Sequence, residues 1–247
     1  VTSQEDWSDM AVLMDLGALD KGERFLAGDY RYLVWSEDRD TEPLSVLLEA
    51  NGIPRDETLV FSYQASSKVD AAKLMAAFAD RVRPGVLTIV HRDRDFMSDE
   101  EVGRLRQKYT LNQTPNMRLL ITRGSDIESY FTTPEHLSEV TGQELAGMQS
   151  LVDDVMQLGM IDFVLAFRDK REEIKRDLYK RDPEACPSTN DLIAGNQIPV
   201  ENAVGKILLK RIRDRLQANG INGGVVIQTS GALHDPNIAA TFADVFA

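Results

Sequence analysis

The strongest constraint on this chain is an alternation of short apolar runs with stretches of helical period, in which the apolar runs end on acids. Tyr30 to Trp35 is an aromatic and β-branched run that leads into Ser36-Glu37-Asp38-Arg39-Asp40, then into a helical pattern through Leu44, Leu47 and Leu48. Thr41 and Pro43 suit the start of that helix, and Asn51-Gly52 its stop. Thr58 to Tyr63 reads as a second strand, Val69 to Val82 as a helix, and Val86 to Val90 as a strand buried on both faces. The last of these runs directly into His91-Arg92-Asp93-Arg94-Asp95-Phe96, after which Ser98, Glu100 and Glu101 open another helix with an acidic first turn. Met117 to Thr122 is a fourth strand, followed by Gly124-Ser125-Asp126-Ile127-Glu128. Strands alternating with helices predict a mostly parallel α/β sheet whose ligand crevice lies at the carboxyl ends of the strands. Three acidic clusters fall at such ends.

Beyond Thr141 the pattern changes. Leu145, Met148, Val152, Val155, Met156, Phe163 and Phe167 recur at helical spacing, and the charges from Asp169 to Asp182 mark a solvated helix face. Pro183 and Pro187 break this segment, Val200 to Ala218 reads as a further helix, Val225 to Ile227 as a strand, and a last helix follows Pro236. The expected organisation is an α/β core over residues 1–140, a helical insertion over 141–198 and completion of the core over 199–247. The 247 residues, 43% of them hydrophobic, suffice for such a core.

No apolar run approaches the roughly eighteen residues of a membrane span, and Val1 to Asp9 lacks the layout of a signal peptide, so the expected setting is cytoplasmic without membrane attachment. The single Cys186 excludes an intramolecular disulfide and reads as a buried free thiol. With only His91, His136 and His234 beside it, a thiolate and imidazole zinc cage is hard to assemble, so oxygen ligands would hold any metal. His91 itself reads as hydrogen-bonded structure rather than a ligand. A net charge of −12 argues against coating nucleic acid by bulk electrostatics, yet is compatible with an enzyme whose carboxylates are offset by divalent cations.

Asp93 and Asp95 are two apart, so on a straight strand both carboxylates would face one side, a geometry suited to a hard cation. Asp126 and Glu128 repeat the spacing, although by themselves they read as turn and helix-cap acids. Glu37, Asp93 and Asp95 at the ends of buried strands carry more weight, because clustered carboxylates repel one another without a cation. Two divalent ions at such a centre would activate water and stabilise a leaving oxygen, making a phosphodiester the natural substrate.

The segments Trp35 to Leu44, Val90 to Phe96 and Ser125 to Glu128, with a fainter continuation around Val204-Gly205-Lys206 to Leu209, resemble the topoisomerase-primase (TOPRIM) core of the overcoming-lysogenisation-defect (OLD) family of nucleases. The resemblance implies a TOPRIM-like sheet with a helical insertion, and two Mg²⁺ or Mn²⁺ ions as cofactors. Glu37 would be general base or metal ligand, Asp93 and Asp95 the central ligands, Asp126 and Glu128 second-metal ligands, and Lys206 the stabiliser of transition-state charge. The family commonly has Gly after its first Glu and an acid four positions on; here Asp38 and Thr41 stand there, which leaves Asp40, Glu42 or no residue as the ligand. The resemblance also implies nucleic acid as substrate, DNA ahead of RNA, an ABC-type ATPase domain or subunit as partner, and a role in anti-phage defence, and it leaves a homo-oligomer open. No phosphate-binding Gly-x-x-x-x-Gly-Lys-[Ser/Thr] loop occurs, so ATP binding would fall to that partner. Arg92, Arg94, Arg123 and Lys210 are candidate phosphate contacts, alternatively only local charge balance. Two competing readings are a primase-like nucleotidyl transferase and a non-catalytic TOPRIM-like module that binds an ATPase or nucleic acid.

Overall fold

The computed structural model describes residues 24–25, 30–63, 76–77, 79–81, 83–110, 116–193, 198, 200 and 203–242. Four strands, β1 (Tyr32–Ser36), β2 (Thr58–Ser62), β3 (Leu87–Arg92) and β4 (Met117–Ile121), form a parallel sheet in the order β2-β1-β3-β4. Helices flank it, which makes this an α/β fold. Most of the helix expected over Val69 to Val82 lies outside the described residues.

The chain divides into two compact units. The first comprises residues 1–92, 109–121 and 235–247 and holds the whole sheet. Every residue of β1 and β3 is buried, as their mainly apolar runs favour, whereas β2 alternates buried with half-buried positions at the sheet edge. Trp35 of β1 stacks on Phe61 of β2 with ring centroids 4.5 Å apart. Helix α1 (Glu42–Ala50) starts with Pro43 in its first turn and ends at Asn51, where Gly52 takes a φ of +87°. The Asn51 side chain donates to Leu47 O and accepts from the N–H of Asp235, tying the end of α1 to the entry of the last helix, Pro236–Phe242.

The second unit, residues 93–108 and 122–234, is helical among its described residues. It contains most of α2 (Asp99–Thr110), then α3 (Pro134–Thr141), the 34-residue α4 (Leu145–Leu178) and α5 (Gly205–Ala218). Gly142 in the left-handed region ends α3, and α4 packs on both α3 and α5. No strand occurs among the described residues of 141–198. The strand expected at Val225 to Ile227 is replaced by a 3-10 turn, Gly223–Val226. Asn222 caps that turn by accepting from Gly224 N–H, and its Val226 is buried; with no neighbouring strand among the described residues to pair it, an extended segment there would leave its backbone groups unmet. Among the described residues, no helix is long and apolar enough to cross a membrane.

A buried network anchors the start of α2. Ser98 and Glu101 form a reciprocal capping box, with Ser98 N–H donating to Glu101 Oε2 at 2.8 Å and Glu101 N–H to Ser98 Oγ at 3.2 Å. Arg171 of α4 then grips the same carboxylate with both terminal nitrogens, at 2.6 and 2.9 Å. The Tyr179 hydroxyl also bonds Glu101, and burial followed by that bond pushes the phenol up to about 12. Cys186, expected to be buried, is a half-buried free thiol whose Sγ lies 3.7 Å from Arg171 Nη2.

Candidate functional site

In the first unit the strand order reverses between β1 and β3, the place where open α/β sheets form a crevice at their carboxyl ends. Glu37 and Asp38 follow β1 directly, and His91 is the penultimate residue of β3. His91 is fully buried. Asp38 is half-buried as a residue but its Oδ2 is enclosed, and an Asp38 carboxylate oxygen lies within 4.8 Å of a His91 ring nitrogen. Tyr63 Oη donates to the His91 carbonyl at 2.6 Å, and Ser36 Oγ accepts from Asp38 N–H, so both backbone segments are held. Asp93 comes two residues after His91 along the chain. An imidazole at 91 with carboxylates at 38 and 93 is a donor set that could hold a metal ion. The sequence alone reads His91 as structure and gives Asp38 no ligand role; the signal it lacks is strand order, which makes the ends of β1 and β3 neighbours. Asp40, by contrast, is exposed and accepts from Glu42 N–H at the entry to α1. Glu42, the other alternative, pairs with Arg55. Arg92 is only 8% exposed, placing it in the interior rather than on a phosphate-facing surface.

In the second unit, Asp93, Asp95, Asp126, Glu128 and Lys206 are arranged around the segments that follow β3 and β4. Asp93 is 6% exposed; its Oδ1 accepts from Ile127 N–H at 3.2 Å, and its Oδ2 lies 3.9 Å from the Lys206 ammonium. A lysine far away in sequence thus stands beside the buried carboxylate. The cause is local to the start of α5, which begins at Gly205 rather than at Val200 as expected. Asp126 Oδ2 accepts from Lys206 N–H at 3.1 Å and Oδ1 accepts from Ser129 N–H at 3.2 Å, so one carboxylate serves the first turns of α5 and of the 3-10 helix Ile127–Thr132. Ser125 Oγ accepts from Gly205 N–H and donates to Ala203 O, completing the seam. Asp126 accordingly has the helix-capping function that its lone spacing pattern suggested. Glu128 is half-buried in the first turn of the same 3-10 helix.

Only glycine fits at 205: a Cβ there would overlap Asp126 Oδ1 and the backbone nitrogen of Ser129. Gly205→Ala should therefore destabilise the chain by at least about 1–3 kcal/mol, the cost of forcing atoms into a packed seam. Gly147→Ala on α4, where a Cβ meets nothing within 4 Å, should be neutral or slightly stabilising. Denaturant unfolding of the two variants checks the contrast; equal, small effects would mean that the α5 seam yields.

Asp93 and Asp95 do not share one strand face as a straight strand would have placed them. The strand ends at Arg92, and Asp95 and Phe96 take φ values of 54° and 71°, two successive left-handed residues that turn the chain. Asp95 N–H donates to Ser125 O, and its carboxylate pairs with Lys170 of α4 at 3.1 Å. Burial would lower the Lys170 ammonium, but the charges and hydrogen bonds of Asp95 and Glu173 outweigh it and raise the group above the ordinary lysine value. Helix α4 holds the neighbouring residue too: Phe96 packs on Phe167 with ring centroids 4.8 Å apart, and its carbonyl accepts from Arg171. In the sequence Lys170 belongs to the charged run from Asp169 to Asp182, which reads as a solvated helix face, and nothing local distinguishes it from its neighbours.

Two candidate phosphate contacts line one cavity of about 420 Å³ in this unit, together with Ser129, Tyr130, Thr132 and Thr133. Arg94 is fastened there by Asp99 and by Met97 O, whereas the exposed Arg123 lies over the Tyr130 ring at 5.3 Å. Lys210 is exposed on α5. Comparison with family models, with curated proteins and with solved structures returns no match. The chain is an α/β protein with a donor set, Asp38, His91 and Asp93, that could hold a metal ion.

Proposed function

We propose that this chain is a divalent-cation-dependent nuclease that hydrolyses phosphodiester bonds of nucleic acid, in keeping with its resemblance to the TOPRIM core of the OLD family. The observation that carries this reading is the Lys206 ammonium, 3.9 Å from the buried Asp93 carboxylate. A half-exposed ammonium beside a buried carboxylate, carried on a helix whose first turn is capped, is placed to meet an anionic transition state.

Asp38, His91 and Asp93 are the proposed cation ligands. The donor chemistry fits a metal: two carboxylates suit Mg²⁺ or Mn²⁺, and the imidazole favours Mn²⁺ of the two. A bound cation would supply polarisation of the phosphoryl oxygen and activation of water. The protein's own groups do the rest. Glu37, at the end of β1, takes a proton from the attacking water, and Lys206 offsets charge that builds on the phosphoryl oxygens. Arg123 and the hydroxyls that line the cavity of the second unit hold a further phosphate of the substrate. Asp126, with both oxygens accepting backbone N–H groups, acts as a cap that places Lys206 rather than as a second-metal ligand.

The test is an assay of the chain on plasmid, linear duplex, single-stranded DNA and RNA, with Mn²⁺, with Mg²⁺ and with chelator. Cleavage with Mn²⁺ at least as fast as with Mg²⁺, and none with chelator, is the expected result. Metal binding by calorimetry without cleavage of any substrate would favour a non-catalytic binding module instead, and nucleotide incorporation in place of hydrolysis would favour a primase-like transferase.

A further inference from the structure

Helix α4 is apolar on two opposite faces. One carries Val152, Met156, Phe163 and Phe167, all buried. The other carries Leu158 and Ile161, each 77% exposed, and Leu165, 53% exposed. At about 100° per residue these three span an arc of only about 60° and about 10 Å of helix length. Three large aliphatic side chains in one exposed stripe on one helix are unlike the scattered single exposures normal on a protein surface. Their spacing of three and four residues is that of a helix-pairing seam.

The ends of the stripe say what covers it. Asp154 lies seven residues before Ile161 and Arg168 seven residues after, both exposed and both on the same face. About Ile161 the stripe is therefore self-complementary under a two-fold rotation: in an antiparallel pair Ile161 meets its own copy, Leu158 meets Leu165, and Asp154 meets Arg168 at both ends. A parallel pair would instead put Asp154 on Asp154 and Arg168 on Arg168, which is repulsive. Asp162, beside the centre of the seam, is already paired with Arg211 of α5 within the same chain. We propose that α4 is a dimerisation helix, which pairs antiparallel with α4 of a second copy of this chain through Leu158, Ile161 and Leu165. This inference is independent of the nuclease reading, since none of these residues belongs to the proposed site.

Sedimentation equilibrium of the full chain should show a reversible monomer–dimer transition. Ile161→Asp should weaken the dimer by roughly 30-fold or more, as loss of a central apolar anchor does. Its thermal unfolding, measured at concentrations where both proteins are monomeric, should match the parent, because Ile161 has little intramolecular packing to lose. Asp154→Arg and Arg168→Asp should each weaken the dimer by about 3- to 10-fold through like charges at both ends, and the double exchange should restore most of the loss. A chain that stays monomeric throughout, or a dimer indifferent to Ile161→Asp, would overturn the proposal. So would single charge exchanges without effect, since only the antiparallel arrangement makes them matter.

Discussion

Lys206→Ala is expected to lower turnover by roughly two to three orders of magnitude with little change in metal affinity, the usual loss when one preorganised electrostatic stabiliser is removed. The substitution is clean, because what Asp126 holds is the backbone N–H of residue 206, which alanine keeps. Only the ammonium beside Asp93 is lost. Lys206→Arg should rescue poorly, since a planar guanidinium cannot occupy the place of a compact ammonium. Lys210→Ala, one turn further along the exposed face of α5, supplies the comparison. Single-turnover cleavage together with calorimetric Mn²⁺ titration separates the cases. Similar mild, salt-sensitive losses of substrate binding at both positions would mean that Lys206 is surface charge alone. At the acid itself, Asp93→Asn should abolish cleavage and weaken Mn²⁺ binding. It should leave thermal stability in metal-free solution nearly unchanged, because asparagine can still accept from Ile127 N–H.

The largest expected loss of stability comes from the other half of the second unit. Arg171→Met leaves the Glu101 carboxylate buried without its guanidinium, and should cost about 3–5 kcal/mol, as breaking one side of a buried ion pair does. Both side chains are at most 1% exposed, so water cannot substitute. Replacing both residues, Glu101→Leu with Arg171→Met, should recover much of the loss, because the desolvation of two charges disappears together with their attraction. The pH dependence has a definite sign. Burial would push the Glu101 carboxyl up, but hydrogen bonds from Arg171 and Ser98 N–H outweigh it and hold the group below the ordinary carboxylate value of 4.5. A carboxyl whose folded-state value lies below its unfolded one stabilises the protein fully above the unfolded value. That contribution is lost as pH falls through the folded value. The stability gap between the parent and the double variant should therefore shift against the parent as pH drops below 4.5, which urea unfolding across that range measures. A gap that does not vary with acid would show that the pair contributes no charge-dependent stability.

Much of the sheet was legible in advance because buried parallel strands carry their own signature. Leu87 to Val90 carries no charge and is interrupted only by Thr88, and a run that offers no charged face finds its place between two packed layers. Ser98 and Glu101 likewise announced the start of α2, since a capping box is a local device of four residues. Val225 to Ile227 misled for the same reason that it seemed clear: three apolar β-formers need a neighbouring strand, and only the fold decides whether one is within reach.

The sequence by itself determined that this chain builds a parallel α/β sheet with acids at its strand ends, because strand period, helix period and turn residues are properties of neighbours along the chain. Only the tertiary structure decided which partners those acids take. Asp126 became a cap when α5 docked its first turn against it, Asp95 turned aside to Lys170 once the chain entered the left-handed region, and His91 came within reach of Asp38 through the reversal of strand order between β1 and β3. Each of these outcomes depends on residues far apart in sequence, and a hydrogen bond or ion pair closed over that distance leaves no periodicity in the chain from which it could be read.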